Sequence, residues 1–450
     1  MSEPEQPEQP SNVGSRDEAG RQSIAIGELA HVRAGNGFPH RLQGRSSGTY
    51  PFFKVSDMNA RENGTWMSRA VNYVEEADVR ELRATVMPPN TVVFPKVGAA
   101  IATNKKRILA QSSLVDNNVM GVTVHDSEVC EPEFLLRWFQ TLDLRELSNP
   151  GPLPSITAGA VKAAMIDLPP PVEQRAIAHV LHAVQRAKEQ TEQVIGAARE
   201  LKRSLMRHLF TYGPIPINRS SSTELQITEL GTLPTHWTVV SLEDIQADSK
   251  YAMTAGPFGS KLGQKDYVAD GVPVLRGRNL VGGRNIVLGD LVFVSEQKAD
   301  ELASSIARPG DVVVTQRGSL GLAAMIPSRL PYQRYVVSQS QMKFTSNRLK
   351  AIPEFVLYAL QTDGAQQRIQ DSAVRSGVPH INLGIFRAFK IPLPPLPEQE
   401  TIVDCLDAMS VKIEAEERRR DALNALFDSL LHGLMTAGLR VDPLVAEFAR

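Results

Sequence analysis

One long amphipathic segment occurs twice in this chain, and the repeat constrains the fold more than any other feature. Residues 168–213 and 393–438 align at a constant offset of 225 without a gap. Both copies begin with Leu-Pro-Pro followed by a Glu-Gln pair, and both end in Thr-x-Gly. Self-similarity at a fixed spacing is typical of duplicated architectures. The sequence therefore predicts two related halves, each ending in this segment.

Each copy is predicted to form one long helix. Prolines precede Glu173 and Glu398, where a missing N–H costs nothing and an acid complements the helix N-terminus. Gly213 and Gly438 stand where a C-terminal glycine belongs. Apolar side chains recur at intervals of three and four, as in a coiled coil. The predicted seam contains Ile177, Leu181, Val184, Leu201, Leu205 and Leu209 in the first copy and Ile402, Leu406, Met409, Leu426, Leu430 and Leu434 in the second.

Charge favours pairing of the two predicted helices with each other. The net charge is +3 over 168–213 and −5 over 393–438, and opposite charges favour unlike pairs over like pairs. We expect the polar residues Thr191, Glu416 and Arg420 to weaken the middle of the seam and to help fix its register. Two unrelated core helices are the alternative, but they would not explain the shared residues. We therefore predict an antiparallel pair, each helix about 57 Å long.

The predicted fold class is α+β, with two mixed α/β domains separated by the paired helices. A chain of 450 residues exceeds one compact core. Short matches link the domains as well, such as Pro132-Glu-Phe-Leu with Pro353-Glu-Phe-Val. The predicted division is a disordered tail over 1–20, a first domain over 21–167, a first helix over 168–213, a linker over 214–235, a second domain over 236–392, a second helix over 393–438 and a tail over 439–450.

An antiparallel pair would place the two domains at opposite ends, related by an approximate two-fold axis. Duplex DNA suits such a protein, since its strands are related by two-fold axes perpendicular to the helix. The overall charge of −1 does not oppose this, because residues 235–390 carry +5 while residues 1–20 carry −4. The sequence thus permits a nucleic-acid surface.

Base edges are read by Arg, Lys, Asn and Gln side chains, and phosphates are bound by exposed cations and backbone N–H groups. In the first domain such residues follow or flank two predicted strands, Tyr50–Val55 and Thr91–Phe94, and in the second domain they cluster with glycines. The predicted DNA contacts are Lys54, Lys96, Asn104, Lys105, Lys106 and Arg107 in the first domain and Arg276, Arg278, Asn279, Arg284, Gln316 and Arg317 in the second. A solvated loop is the alternative for each of them. Two corresponding turns, Gly35-Asn-Gly-Phe and Gly256-Pro-Phe, either pack a phenylalanine or face a DNA groove.

The chain resembles the specificity (S) subunit of type I restriction–modification systems. The resemblance rests on LPPPVEQRAIAHVL and LPPLPEQETIVDCL, each opening a long helix, and on Gly231-Thr-Leu-Pro-Thr-His-Trp. It covers about residues 21–440. It implies that the domains are target-recognition domains, each reading one half of a split, asymmetric DNA site. It also implies that the long helices set the gap between half-sites and dock methyltransferase (M) subunits.

By the same resemblance, catalysis belongs to other subunits. S-adenosylmethionine would bind two M subunits, and ATP and Mg²⁺ would serve partner subunits, including a restriction (R) subunit where one exists. The sequence agrees, since it lacks GxxxxGK[ST], GxGxxG and HExxH. Cys130 and Cys405 suggest neither a disulfide framework nor a metal site. No apolar run is long enough to span a membrane. We expect a cytoplasmic, nucleoid-associated protein of bacteria or archaea, without a cofactor of its own.

Two alternatives remain open at this point. A non-specific DNA-binding or scaffold protein could use the internal coiled coil merely to join two binding domains, and its DNA affinity would fall with salt without sequence preference. An enzyme with an unrecognised site would need convergent titratable residues in a cleft, and the sequence offers no such group.

Overall fold

The computed structural model describes residues 20–280, 284–375 and 377–441. The predicted tail over 1–20, apart from Gly20, and most of the tail over 439–450 lie outside these residues. The chain divides into two compact units, Met1–Gln193 with Arg418–Arg450 and Val194–Glu417. Because this boundary crosses both long helices, each unit contains one domain together with half of each helix.

The first unit contains twelve strands in its described part, arranged in a five-stranded sheet (β2-β9-β6-β7-β4), a three-stranded sheet (β5-β3-β8) and two pairs (β1-β12 and β10-β11). The strands are β1 (Gln22–Ala25), β2 (Ala30–Ala34), β3 (Tyr50–Phe53), β4 (Trp66–Met67), β5 (Asn72–Val74), β6 (Val92–Pro95), β7 (Arg107–Leu109), β8 (Leu114–Val115), β9 (Val119–Val124), β10 (Ser148–Asn149), β11 (Ser155–Ile156) and β12 (Met165–Leu168). The helices before the first long helix are α1 (Ile26–Leu29), α2 (Glu76–Leu82), α3 (Pro132–Thr141) and α4 (Ala158–Ala163).

The second unit repeats this plan with a four-stranded sheet (β16-β24-β21-β22), a five-stranded sheet (β17-β19-β18-β23-β20) and two pairs (β13-β14 and β15-β25). Its strands are β13 (Leu225–Thr228), β14 (Gly231–Pro234), β15 (Thr238–Ser241), β16 (Met253–Ala255), β17 (Tyr267–Val268), β18 (Val272–Leu275), β19 (Val292–Val294), β20 (Ile306–Ala307), β21 (Val312–Thr315), β22 (Ala323–Met325), β23 (Tyr335–Val337), β24 (Gln341–Phe344) and β25 (Lys390–Leu393). The long helices are α5 (Pro171–Tyr212) and α10 (Leu396–Met435), and the shorter ones are α6 (Glu296–Glu301), α7 (Pro353–Gln361), α8 (Asp363–Asp371) and α9 (Leu383–Arg387).

Corresponding strands make corresponding pairs in the two units. The central antiparallel pair β6–β9 of the first unit matches β21–β24 of the second. The parallel pair β3–β8 matches β18–β23. The strand that leads into each long helix pairs with the first strand of its domain, as β1–β12 and β15–β25. The duplication inferred from the helices therefore extends through both domains.

The long helices are continuous and run antiparallel, as predicted. They contain 42 and 40 residues, so each is about 60 Å long at 1.5 Å per residue. In the first unit the N-terminal half of α5 packs against the C-terminal half of α10, where Arg420 lies 3.6 Å from Glu192. In the second unit the C-terminal half of α5 packs against the N-terminal half of α10, where Lys202 Nζ donates to Ser410 Oγ at 2.8 Å. Arg199 also pairs with Glu417.

The seam differs from the predicted stripe in the middle of each helix. Leu201 and Leu426, predicted to lie in the seam, are 58% and 46% exposed. Ile195 and Phe427, which the predicted stripe omits, are 1% and 6% exposed. In the middle of each long helix the buried face is thus shifted by about one residue from the predicted stripe. The adjoining domain covers this face as well as the opposite helix. The other predicted seam positions are buried for Ile177, Leu181, Leu209, Ile402, Leu406 and Leu434 and partly buried for Val184, Leu205, Met409 and Leu430.

The repeated glutamine of each helix opening ties the long helix to its domain. Gln174 and Gln399 are both fully buried. Gln174 accepts from the backbone N–H of Glu131, the residue before α3, at 2.8 Å, and donates to the Val129 and Pro169 carbonyls. Gln399 makes the same three bonds before α7, accepting from Ile352 N at 2.9 Å. A single amide thus satisfies three backbone groups at the junction in each unit.

Left-handed residues follow several of the helices. Helix α2 ends at Leu82, and the next residue, Arg83, adopts a left-handed conformation with φ 49°. Gly213 has the left-handed φ, 83°, expected of a C-terminal glycine. After α10 the left-handed residue is Ala437, with φ 56°, rather than Gly438.

Candidate nucleic-acid interface

Five polar loops of the first unit meet at one edge of its sheets. The turn at 116–118 connects two of them, since Asp116 N donates to the Phe53 carbonyl at 2.9 Å and Lys96 N donates to the Asn118 carbonyl at 2.8 Å. These bonds place the ends of β3 and β6 side by side. Lys54 and Lys96 are therefore neighbours of the same turn.

Two further loops complete this edge. Gly98 N donates to the Pro154 carbonyl and Ile156 N donates to the Lys96 carbonyl, both at 2.8 Å. Gly35 packs so tightly on the 115–116 backbone that a Cβ there would lie 2.2 Å from two carbonyl oxygens. Only glycine fits such an approach. We call residues 35–38, 53–54, 96–98, 116–118 and 153–156 the first loop edge.

The second unit builds the same edge with the same backbone bonds. Ser338 N donates to the Leu275 carbonyl at 3.0 Å, and Gln316 N donates to the Ser340 carbonyl at 2.8 Å. Ile381 N donates to the Gln316 carbonyl at 3.0 Å, and a Cβ on Gly256 would lie 1.9 Å from the Ser338 carbonyl oxygen. We call residues 256–258, 275–278, 316–318, 338–340 and 378–381 the second loop edge.

The two edges share a backbone but present different side chains. Phe38 stacks on Phe52 with ring centroids 3.8 Å apart, and Lys54 lies over its ring while donating to Gln43 at 2.6 Å. Phe258 of the second edge is instead 66% exposed. The turn that packs a phenylalanine is therefore found in the first unit only.

Six predicted DNA contacts belong to the two loop edges, namely Lys54, Lys96, Arg276, Arg278, Gln316 and Arg317. Arg317 is exposed and precedes Gly318, whose φ is 86°. Arg276 donates to the Asp290 carbonyl, and Arg278 lies 3.4 Å from the Asp290 carboxylate. The exposed ion pair of Arg278 contributes little to stability, so Arg278 is available to an anionic ligand, whereas Arg276 is partly buried.

The basic run Asn104–Arg107, the densest in the sequence, is mostly committed to the protein itself. Lys106 is 3% exposed and donates to the Leu142 carbonyl at 2.6 Å. Arg107 donates to the carbonyls of Asn63, Lys106 and Met58. The side-chain Oδ1 of Asn104 accepts from Leu144 N at 2.9 Å. Lys106 and Arg107 are thus held by internal bonds, Asn104 remains exposed, and Lys105, bonded to Asn59, is partly buried. DNA contact by these four residues stays a prediction.

Three predicted contacts of the second domain are also internal. Asn279 is fully buried and accepts from Arg276 N at 2.8 Å. Gln316 is 6% exposed and donates to the Gln339 carbonyl at 2.7 Å. Arg284 pairs with Asp407 of α10 at 2.5 Å. Each of these side chains makes an internal contact of a loop or a helix, and DNA contact by them stays a prediction.

The structure adds candidates that the sequence reasoning missed. Asn117 and Asn118 are exposed in the turn of the first edge, and Gln339 is exposed in the equivalent turn of the second. Asp116 Oδ1 accepts from Asn118 N at 2.9 Å and so fixes the first turn. A short polar run between two apolar strand segments was the available signal, since Asn and Asp favour such turns.

Within 20–280, 284–375 and 377–441, no three His, Cys, Asp or Glu side chains are grouped as metal ligands. Cys130 and Cys405 are free thiols, and burial raises the pKa of Cys130 to about 12. In the same ranges no helix has the length and hydropathy needed to cross a bilayer.

The fold and the paired loop edges define a duplicated recognition protein, and comparison with known proteins gives its family. The model of the type I restriction modification DNA specificity domain matches residues 20–197 and again residues 235–425. The chain therefore belongs to this family and carries its domain twice. The resemblance noted from the helix openings is confirmed.

Two curated relatives are named as specificity subunits of type I restriction enzymes. The chain is 22% identical over 300 residues to the type I restriction enzyme MjaVIII specificity subunit of Methanocaldococcus jannaschii, covering 65% of this chain and 66% of that protein. It is 25% identical over 288 residues to the putative MjaX specificity subunit of the same organism, covering 64% and 62%. The matches thus span slightly less than two thirds of these relatives.

Solved structures share the fold. The S subunit of a type I restriction–modification system from M. genitalium superposes with a TM-score of 0.60 at 15% identity, covering 93% of this chain and 97% of that one. A chain from a study of type I system assembly and conformational transition gives 0.51 at 16% identity, covering 95% and 99%. At these identities the likeness concerns the fold alone.

Proposed function

We propose that this chain is the DNA-specificity subunit of a type I restriction–modification complex, in which each domain reads one half of a bipartite site. The observation that carries the proposal is the duplicated loop edge. Two recognition surfaces share a backbone framework and differ in the side chains that they present. A protein with two such surfaces suits duplex DNA with two separate half-sites.

Side-chain chemistry supports an asymmetric site. The first loop edge offers Lys54, Lys96 and a pair of asparagines, and asparagine forms bidentate bonds with adenine. The second offers Arg317 and Gln339 with an exposed phenylalanine, and arginine forms bidentate bonds with guanine. Different readers on one framework would select different half-sequences. Backbone N–H groups and the remaining cations would bind phosphates and set the orientation.

In this proposal the paired helices set the spacing of the half-sites and dock two methyltransferase subunits. S-adenosylmethionine, ATP and Mg²⁺ serve the partner subunits, and this chain itself catalyses no reaction. A restriction subunit would join where the host encodes one. The complex would act on double-stranded DNA in the cytoplasm of a bacterium or archaeon, at the nucleoid.

Mapping methylated adenines in host DNA tests the proposal. The chain is co-expressed with its methyltransferase subunit, and the DNA is read by single-molecule sequencing. We expect methylation at one bipartite motif whose halves differ. A continuous motif, or none, contradicts the proposal. A non-specific scaffold would instead bind any duplex, with an affinity that falls with salt.

A further inference from the structure

Among the described residues, each unit has a buried cation–aromatic contact between a domain helix and a long helix, and the cation and the ring exchange places between the units. In the first unit the guanidinium of Arg137 (α3) lies 5.4 Å from the ring centroid of Phe427 (α10). In the second unit the ammonium of Lys202 (α5) lies 5.1 Å from the ring centroid of Tyr358 (α7). A cation therefore meets an aromatic ring in both units.

The two contacts occupy equivalent positions of the duplicated fold. Arg137 and Tyr358 are each the sixth residue of a domain helix that begins with Pro-Glu-Phe. Lys202 and Phe427 share one position of the long helices at the offset of 225. The domain thus supplies the cation in the first unit and the ring in the second, and the long helices supply the complement.

Burial makes both contacts sensitive to the identity of the partner. Arg137 and Tyr358 are fully buried, and Phe427 is 6% exposed. Neighbours hold each pair in place, since Lys188 lies over the same Phe427 ring at 4.4 Å, and Tyr358 donates to Asp407 at 2.5 Å. A mismatched cation at either point would be buried without compensation, which is costly.

A second equivalent position shows the same exchange. Arg21 and Trp237 each precede the first strand of their domain and are 4% and 2% exposed. Arg21 pairs with Glu173 at 2.9 Å and donates to the Leu434 carbonyl at the end of α10. Trp237 donates its indole N–H to the corresponding acid, Glu398, at 2.9 Å. Again the first domain uses an arginine and the second an aromatic side chain.

We infer that Arg137 with Phe427 and Tyr358 with Lys202 form a pairing key, which matches each domain to one long-helix segment and makes the other half of this chain a better partner than a second copy of the same half. If two first halves paired symmetrically, Arg137 would meet Lys202, and two cations would be buried together. If two second halves paired, Tyr358 would meet Phe427 without a cation. The opposite net charges of the two helices act in the same direction.

Substituting the side chains of the pairing key at positions 137 and 427 within the full-length chain tests this inference. Phe427→Lys would place a lysine against Arg137, and we expect the unfolding midpoint to fall by about 5 °C or more. Arg137→Tyr added to Phe427→Lys rebuilds the second unit's pair in the first unit, and should recover at least about half of that loss. Leu426→Lys, at the adjoining exposed position, is the matched control and should shift the midpoint by less than about 1 °C.

Failure of Arg137→Tyr to recover any of the loss would overturn the inference. Since Phe427→Lys could prevent folding of the first unit, a milder cycle uses Phe427→Leu and Arg137→Met, which introduce no new charge. We expect a coupling of about fivefold in the unfolding equilibrium constant between these two changes. Strictly additive effects would show that the two side chains merely fill space.

Discussion

Lys106 and Lys96 are both cations of the first domain, but the fold surrounds them differently. Lys106 is 3% exposed and donates to the carbonyl of Leu142, whereas no hydrogen bond or ion pair of the Lys96 side chain is found among the described residues. Sequence reasoning could assign both to polar loops. It could not separate them, because the acceptor of Lys106 lies far along the chain, after α3.

Because Lys106 is buried, we expect the stability of the protein to depend on pH. Burial lowers the pKa of its ammonium group from 10.5 to about 8. Because the unfolded chain keeps the ordinary pKa, the folded state binds fewer protons between about pH 8 and 10.5, and the free energy of unfolding should rise with pH through that window. Lys106→Met removes this contribution to the pH dependence of stability.

Denaturant titrations measure the difference in free energy of unfolding between wild type and Lys106→Met. This difference should grow in favour of wild type as the pH rises from 8 to 10, whereas the difference between wild type and Lys105→Met should not follow this trend. A pH-independent difference between wild type and Lys106→Met would contradict this assignment.

We expect Arg317 to contact a base or a phosphate in one half-site only. It is exposed on the second loop edge, beside Gly318. Arg317→Ala should weaken DNA binding by about 1–3 kcal/mol if the contact is to a base, and relax selectivity in one half only. Selection of randomised duplexes by the assembled complex measures this, with Arg219→Ala in the connector as a matched control. Equal loss for both variants, or altered preference in both halves, would refute the placement.

Among the elements, periodicity predicted both long helices, and the apolar stripe with the opposite charges predicted that they pair with each other, because these features extend over many turns. It did not predict which face is buried in the middle, where Val194 is 41% and Leu201 58% exposed while Ile195 is 1% exposed. Apolar residues occur on two adjacent faces there. The domains, whose packing a helical pattern does not encode, decide between those faces.

The equivalent glutamines Gln174 and Gln399 of the two long helices give a prediction about stability. Gln174→Ala would leave the Glu131 N–H and two carbonyls without their partner inside the first unit, and should cost about 3 kcal/mol. Gln399→Ala should cost a similar amount, and the double variant about the sum, because the two amides lie in different units and share no partner. Chemical unfolding of the full chain measures all three. Glu400→Ala, next to Gln399 but exposed, is the control, and an equal loss in this control would contradict the junction role.

At the scale of the whole molecule, the duplication was visible in the sequence and extends to strand pairing in both domains. The loop edges were only partly visible. Lys96 and Arg317 stood out as cations after central strands, but each edge is assembled from five segments spread over about 120 residues. The turns at 116–118 and 338–340 join these segments through backbone bonds, which leave little trace in residue type.

Lengthening the paired helices tests most directly the claim that two independent readers are held at a fixed spacing. Four residues are inserted after Gln193 and four after Glu417, about one turn in each helix, so that the apolar faces stay nearly in line. Methylated adenines are then mapped in cells that co-express the methyltransferase subunit. We predict a longer gap between the half-sites, by about two base pairs, and two unchanged half-sequences. A changed half-sequence, or an unchanged gap in a folded and active complex, would contradict it.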